Sequence, residues 1–517
     1  MARAEFFTRV TDMSNPIVAE FSNNSYVGCA WIDYNNDQLE DLFVINNNAN
    51  QLYRNDGGGS FTRITSGPLV TDVGFFRGVS WADYDNDGDI DCFVTGNAWG
   101  LYRNDGAGNF SKVTDADIAT VDSRGWSPAW ADYDNDGNLD LVIAYPAGFV
   151  GGGSNHPNRL FKNDGPPNYT FSFIDTGVVV TGLAPYTSAN WADYDLDGDQ
   201  DLFIGAGPAS AFPAIDYLYK NLLKETGNVG FERITTTPMA TVIADGQVWN
   251  FIDYDNDGDL DGFRTNWGAS APSVRPNDLY RNDNGTYVAV TGDPIVTESF
   301  VSLSQVWGDF DNDGDLDCFV TNDISAANSY YRNEGNGTFT SITGSDVNGN
   351  STSSYGATAG DYDNDGDLDL FVKGFNSANN RYLLRNDVSN GNGWIKFKLV
   401  GTKSNRSAVG AQVWAFANIG GSDFQMFREI NTQNTFLGHN SLVVHFGLGN
   451  AAQVDSVVIN WPSGETNKQY NLSPNQYLTV VEECADPDAD CATRHVRPRR
   501  HGNGDPPWHD ERRRRRR

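Results

Sequence analysis

The chain has 517 residues, with 68 acidic against 36 basic side chains and a formal net charge of −32. That balance argues against nucleic acid as a partner, because phosphate binding needs a basic footprint. The length allows two domains with full cores, no apolar run approaches the roughly 20 residues of a membrane span, and five cysteines do not make a disulfide scaffold.

From the N-terminus, Met1-Ala-Arg-Ala leads straight into Phe6-Phe7 of the first blade strand, so a truncated or processed start, or another export route, is expected. A Phe-Thr strand follows at Phe7–Thr11, then a Trp31-Ile-Asp-Tyr strand, and then an aspartate-rich loop. That loop, D-x-[DN]-x-D-[G/Q]-x-x-D, recurs seven times at intervals of 49 to 61 residues, each time before a hydrophobic strand-like run. Self-similarity at this period marks propeller blades or solenoid units, whose hydrophobic faces only neighbours can bury.

Side chains at loop positions 1, 3, 5 and 9, with the backbone carbonyl of position 7, converge on one point when the chain turns at position 6. Copy one offers Asp33, Asn35, Asp37, the Leu39 carbonyl and Asp41, and copy two offers Asp83, Asp85, Asp87, Asp89 and Asp91. Copy three has Asp132, Asp134, Asp136, Asn138 and Asp140; copy four has Asp193, Asp195, Asp197, Asp199 and Asp201. Copy five has Asp253, Asp255, Asp257, Asp259 and Asp261. Copy six has Asp309, Asp311, Asp313, Asp315 and Asp317, and copy seven Asp361, Asp363, Asp365, Asp367 and Asp369. An all-oxygen set rich in carboxylates suits Ca²⁺, which accepts about 6–8 oxygens at irregular geometry, better than Mg²⁺; with no soft ligand, zinc and copper are poor candidates. Up to seven calcium ions are therefore expected.

An EF-hand would need a bidentate Glu at position 12 between helices. Val44, Val94, Ile143, Ile204, Arg264, Val320 and Val372 stand there instead, and the flanks are strand-like. A solvated turn is the simpler account of one Asp/Asn/Gly cluster, but it gives no reason for the same acids seven times over. In copy one Gln38 replaces the glycine that reaches positive φ freely.

Four short strands per unit describe a β-propeller blade. The script is a Phe-Thr strand, a Trp strand (Trp31, Trp81, Trp130, Trp191, Trp307), the loop with the strand after it, and a Leu-Tyr-Arg-Asn-Asp strand. The fold expected is all-β: a seven-bladed propeller over residues 1–388 with calcium loops, then a small β-sandwich at 389–483 and a disordered basic tail at 484–517. The blade aromatics are expected to be core, with Cys92 and Cys318 as small buried hydrophobes, while Cys484 and Cys491 bracket an acidic loop and are able to pair. These units resemble FG-GAP/VCBS repeats, the calcium-loop propeller units of integrin heads and many secreted bacterial proteins.

After Asn386-Asp387 the script breaks. Trp394-Ile-Lys-Phe-Lys-Leu alternates apolar and polar residues as a strand does, and Arg428-Glu-Ile430, His445-Phe-Gly-Leu-Gly449 and Trp461-Pro-Ser-Gly464 follow. This order is similar to the ASPIC/UnbV domain that follows such repeats in cartilage acidic protein-like chains. Arg428, Glu429 and His445 alone invite a catalytic reading there, and a structural role is preferred.

Calcium bears on the compartment. At millimolar calcium and a Kd of about 10⁻⁴–10⁻³ M, each loop would contribute about 0.4–1.4 kcal/mol, a gain that vanishes at cytosolic calcium. The chain is therefore expected outside the cell or on its surface, binding a protein or glycan in adhesion or matrix association. The alternatives are a calcium-dependent, lyase-like polysaccharide enzyme and a structural surface-layer or filament component. Recognition is expected on two insertions, Tyr145–Asn158 and Gly205–Tyr217, with Phe149, Phe212 and Tyr217 available for stacking. Asp257→Ala should cost more stability than Asp37→Ala in calcium titrations, because the first loop already lacks a carboxylate and its glycine; equal losses would refute that ranking.

Overall fold

The computed structural model describes residues 7–20, 26–97, 99–114, 117–120, 125–146, 156–207, 214–268, 275–349, 353–374 and 381–483. The tail with Cys484 and Cys491, and the middle of both insertions with Phe149 and Phe212, lie outside those residues.

Seven sheets of four main strands follow one another along the chain. In blade two the strands are Gly74–Ala82, Asp91–Gly96, Gly100–Asn104 and Phe110–Lys112, antiparallel and innermost first. The acidic loop joins the first strand to the second. The Phe-Thr strand sits one place away from where the sequence script put it, since it ends a blade and does not open one. Ser60–Ile64 pairs with Gln51–Gly57 of blade one, and Phe7–Arg9 pairs with Arg381–Asn386 of blade seven (Phe7 opposite Asn386). The N-terminal strand thus completes the last sheet and closes the ring, covering a strand edge that would otherwise be open.

The aromatics fill the space between blades, as expected. Trp31 stacks on Tyr362 at 5.8 Å, Trp130 on Tyr84 at 6.2 Å and Trp191 on Tyr133 at 6.1 Å, each from the preceding blade around the ring. Cys29, Cys92 and Cys318 are buried thiols on blade strands. The asparagine of the Leu-Tyr-Arg-Asn strand ties the same seams. Asn55, Asn104, Asn163, Asn221, Asn333 and Asn386 each donate to the carbonyl of loop position 2 one blade back, at 2.7–2.9 Å.

The second domain is a sandwich of a three-stranded sheet (Val444–Gly449, Gly393–Val400, Gln476–Val481) and a four-stranded sheet (Ser422–Glu429, Gln412–Ile419, Val454–Asn460, Thr466–Leu472). Between these sheets, residues 431–442 leave the domain and run through the middle of the ring, touching the innermost strands of six blades. Ala30 bridges His439, and the Val79 amide donates to the Leu437 carbonyl at 2.9 Å. The Trp130 amide donates to Thr432 Oγ1 (2.9 Å), and Asn250 Nδ2 to the Asn434 carbonyl (2.7 Å). The Phe436 amide donates to Ser304 Oγ (2.9 Å) and Thr358 Oγ1 to the His439 carbonyl (2.8 Å). Phe436 and Leu437 end buried beside Trp126, Val248, Leu303 and Tyr355. The plug gives partners to inner-strand groups that face no further strand, which matters because an unpaired buried backbone group costs about as much as a lost hydrogen bond.

Blades four and five are joined differently. Asn282 donates to Leu260 of its own blade, so among the described residues the asparagine tie is missing at this seam. A buried ion pair stands near it: Arg264, 1% exposed at the side chain, meets Asp216 and reaches Asp278 at 2.6 Å. Removing one partner of a buried pair strands the other charge. Arg264→Ala should therefore cost about 3–5 kcal/mol in urea denaturation, and a loss below about 1 kcal/mol, the value of an exposed pair, would refute this account of the seam.

Candidate metal centres

Each loop is set by its first aspartate. One oxygen of Asp33, Asp83, Asp132, Asp193, Asp253, Asp309 and Asp361 accepts the amide of position 5 and the other that of position 6, all at 2.7–3.2 Å. The chain must turn back within five residues to do this. Position 6 is left-handed in every copy, including Gln38 at φ 69°, where a side chain costs on the order of 1–2 kcal/mol.

The ninth residue is bonded more than the sequence suggested. Asp41, Asp91, Asp140, Asp201, Asp261, Asp317 and Asp369 each accept, at 2.6–2.8 Å, the backbone amide of the asparagine in the third strand. These carboxylates pin the loop to its sheet while lying beside the remaining acids. Oxygens of Asp83, Asp85 and Asp91 lie within 4.8 Å of one another, as do those of Asp132, Asp134 and Asp136, of Asp193, Asp195 and Asp197, and of Asp253, Asp255 and Asp261. Asp134 Oδ1, Asp255 Oδ1 and Asp363 Oδ1, all at position 3, are buried with no hydrogen-bond partner. Buried carboxylate oxygens without a donor are costly unless a cation meets them, so these residues fit a hard metal ion. Copy one differs: Asn35 spends its amide on Asp37 at 2.9 Å.

Burial followed by mutual repulsion pushes the carboxyls up. Asp41 and Asp261 rise to about 9, Asp193 and Asp313 to about 8 and Asp253 to about 7. In each case burial is the main cause, and for Asp193 the nearby Glu429 comes next.

The fourth residue, left open in the motif although it is asparagine in six of the seven copies, links neighbouring loops. Asn36, Asn86, Asn135, Asn256, Asn312 and Asn364 take left-handed conformations (φ 55–60°). Each donates to the position-6 carbonyl of the next blade's loop at 2.9–3.5 Å, Asn364 closing the circle on Gln38. Leu196 holds the same conformation in blade four, at φ 58°, and has nothing to donate.

The second domain covers this loop face. Lys398 Nζ meets Asp33 Oδ2 at 2.9 Å, and Lys396, 3% exposed, meets Asp361 and reaches Asn364 Oδ1 at 2.9 Å. Gln412 donates to Asp193 Oδ2 at 2.8 Å, and the Arg406 amide to Asn86 Oδ1 at 2.7 Å. The three residues that invited a catalytic reading belong to this contact. Arg428 is half-buried near Asp309, Asp253 and Asp315, and desolvation lowers its pKa to about 10. Glu429 accepts from Gln200 at 2.7 Å, and His445 Nε2 donates to the Gly366 carbonyl at 2.9 Å, its pKa lowered by burial to about 3. Gly447 is required for close approach, since a Cβ there would lie 2.0 Å from Asp309 Oδ2.

A family model for the FG-GAP-like repeat matches residues 33–94, 87–143 and 309–372, and one for ASPIC and UnbV matches residues 401–487. Cartilage acidic protein 1 of Mus musculus is 26% identical over 317 residues, 60% of this chain and 39% of the mouse protein. Cartilage acidic protein 1 of Homo sapiens is 26% identical over 242 residues, 44% of this chain and 35% of the human protein. The chain thus spans well under half the length of these relatives. Similar solved structures include a lectin of Agrocybe aegerita (TM-score 0.41, 16% identity, 68% of this chain and 86% of that one) and the polysaccharide lyase Uly1 (TM-score 0.40, 13% identity, 72% and 93%). The chain is an FG-GAP repeat protein with an ASPIC/UnbV domain, related to cartilage acidic protein 1.

Proposed function

We propose that this is an extracellular calcium-binding protein whose propeller is held together by ions in its acidic loops and which binds a protein or glycan in adhesion or matrix association. The observation that carries the reading is the repeated carboxylate cluster with an orphaned position-3 oxygen, in Asp134, Asp255 and Asp363. The ligands proposed are those at positions 1, 3, 5 and 9 with the position-7 carbonyl, from Asp33 through Asp369. Calcium is favoured over magnesium because seven loops of unequal charge and rigidity suit an ion tolerant of irregular geometry. An extracellular site follows from calcium supply, and the relatives named as acidic proteins of cartilage accord with it.

Partner binding is assigned to the face opposite the second domain. The loop face is engaged by Lys396, Lys398, Gln412 and Arg428, and a carboxylate already bonded there has little capacity left for a ligand. An enzymatic reading would need a base and a charge-stabilising group converging in a cleft. Arg428, Glu429 and His445 are taken up in the domain contact instead. A glycan array combined with an assay for unsaturated uronate release separates the two readings: binding without release supports adhesion, and release overturns it.

The metal role predicts an unusual pH response. Carboxyls whose folded pKa is raised to about 7–9 contribute stability that is full below about pH 4, the unfolded value, and lost as pH rises through 7 to 9. Chelated protein should therefore melt lower at pH 8 than at pH 5, and added calcium should raise the midpoint more at pH 8. A midpoint indifferent to EDTA at both pH values would sink the structural-calcium reading.

A further inference from the structure

We infer that blade four carries a second divalent-cation site, formed by Asp197, Asp199 and Glu225, beside the one its loop shares with the other blades. The inference rests on the reading of the repeated loop as a metal site, since Asp197 would serve both. Oxygens of these three carboxylates lie within 4.8 Å of one another. Two come from the loop, and the third projects from a short helix, Leu223–Thr226, in the turn between the third and fourth strands.

The independent observation is Asp199. It is 1% exposed, and its Oδ2 accepts the Lys224 amide at 2.9 Å, but its Oδ1 has no hydrogen-bond partner. In blades two, six and seven the asparagine of the preceding loop satisfies this position. Asn36 reaches Asp89 at 3.2 Å, Asn256 reaches Asp315 at 2.8 Å and Asn312 reaches Asp367 at 2.7 Å. In blade four the incoming Asn135 donates to the Gly198 carbonyl, and Asp199 Oδ1 is left without a donor on a residue of the cluster.

The sequence departs from the repeat at the same place. In five blades an arginine pairs with the acid two residues on: Arg54 with Asp56, Arg103 with Asp105, Arg281 with Asp283, Arg332 with Glu334 and Arg385 with Asp387. Blade four has Lys220 and Leu222 at these positions, and its acid appears on the helix as Glu225. Lys220 turns inward onto Asp195, Asp197 (3.3 Å) and Glu225 (2.5 Å), so a tethered monovalent cation already stands on this ground. Six carboxylates gather here: Asp193, Asp195, Asp197, Asp199, Asp201 and Glu225. One divalent ion and one ammonium neutralise only half of that charge. The all-oxygen set calls for a hard cation, and the exposed Glu225 leaves the site open to exchange with solvent.

The test counts calcium bound to the full chain by mass spectrometry after equilibration at about 1 mM free calcium, within the range of extracellular sites. Glu225→Gln should hold one calcium fewer than the wild type; the side chain is exposed, so the fold is not at stake. Lys220→Met, which removes the competing ammonium, should bind the last ion about fivefold more tightly, the worth of a partly exposed ion pair. Equal counts in wild type and E225Q, or unchanged affinity in K220M, overturn the second site while leaving the repeated loops intact. A wild-type chain that holds no calcium overturns the loop reading itself.

Discussion

The capture of two backbone amides by the first aspartate of each loop is the interaction on which the rest depends. It forces the turn that brings positions 3, 5 and 9 together, and so creates a cluster of acids that repel. At an effective dielectric of about 20, like charges roughly 4 Å apart cost about 4 kcal/mol, more than a single amide–carboxylate hydrogen bond returns. The ring therefore needs positive charge on its loop face. Lys396 and Lys398 bring some of it from the second domain, and Arg428 brings more. The second domain is in this sense the electrostatic counterpart of the loops.

The same loops also set the geometry of the ring. An asparagine at position 4 in a left-handed conformation passes one hydrogen bond to the next blade, and a second asparagine in the third strand passes one back. Because Asn364 reaches Gln38 and Phe7–Arg9 completes blade seven, both the polar belt and the sheets close on themselves. The exception is the blade four–five seam, where Leu196 has no side-chain amide and Asn282 stays within its blade. The buried Arg264–Asp216 pair adds charge at that seam, and blade four is also where the loop acquires the additional acid Glu225. At this seam between blades four and five the loss of a neutral hydrogen bond is thus accompanied by charged groups.

Much of this was legible in the sequence because it rests on local chemistry. The loop acids and the left-handed position 6 follow from a pattern about ten residues long, and the blade count from its recurrence every 49 to 61 residues. What was hidden depends on contacts between distant segments. Lys396 and Lys398 alternate with Ile395, Phe397 and Leu399 as surface residues do, yet Lys396 is 3% exposed because the face it shares meets the loops. Position 4 looked free because its partner lies a whole blade away. The segment 431–442 has no periodicity and an ordinary loop composition, so nothing local marks it as the filling of the ring's channel. The placement of the Phe-Thr strand one blade early has a similar origin: a repeat's sequence period fixes its length but not which sheet its terminal strand joins.

The plug and the docked domain together restrict where the molecule can meet a partner. The loop face is occupied by the second domain's own charges, and the channel is filled by a segment whose tip, Phe436–Leu437, is buried among Trp126, Leu303 and Tyr355 at its far end. A propeller normally offers its central mouth as a concave ligand site, but here that volume is used to satisfy inner-strand amides and to anchor the second domain. The rims and connecting loops carry exposed apolar side chains, with Phe75, Ile243 and Ile324 more than half exposed. Ile324 also holds a φ of 53°, a conformation that a β-branched side chain adopts only under constraint from its surroundings. Its amide is held by Asp323, whose other oxygen accepts from Tyr26 and Trp267. The strain at this exposed apolar residue is thus held by an Asp323 carboxylate that is itself fixed by two half-buried aromatic side chains.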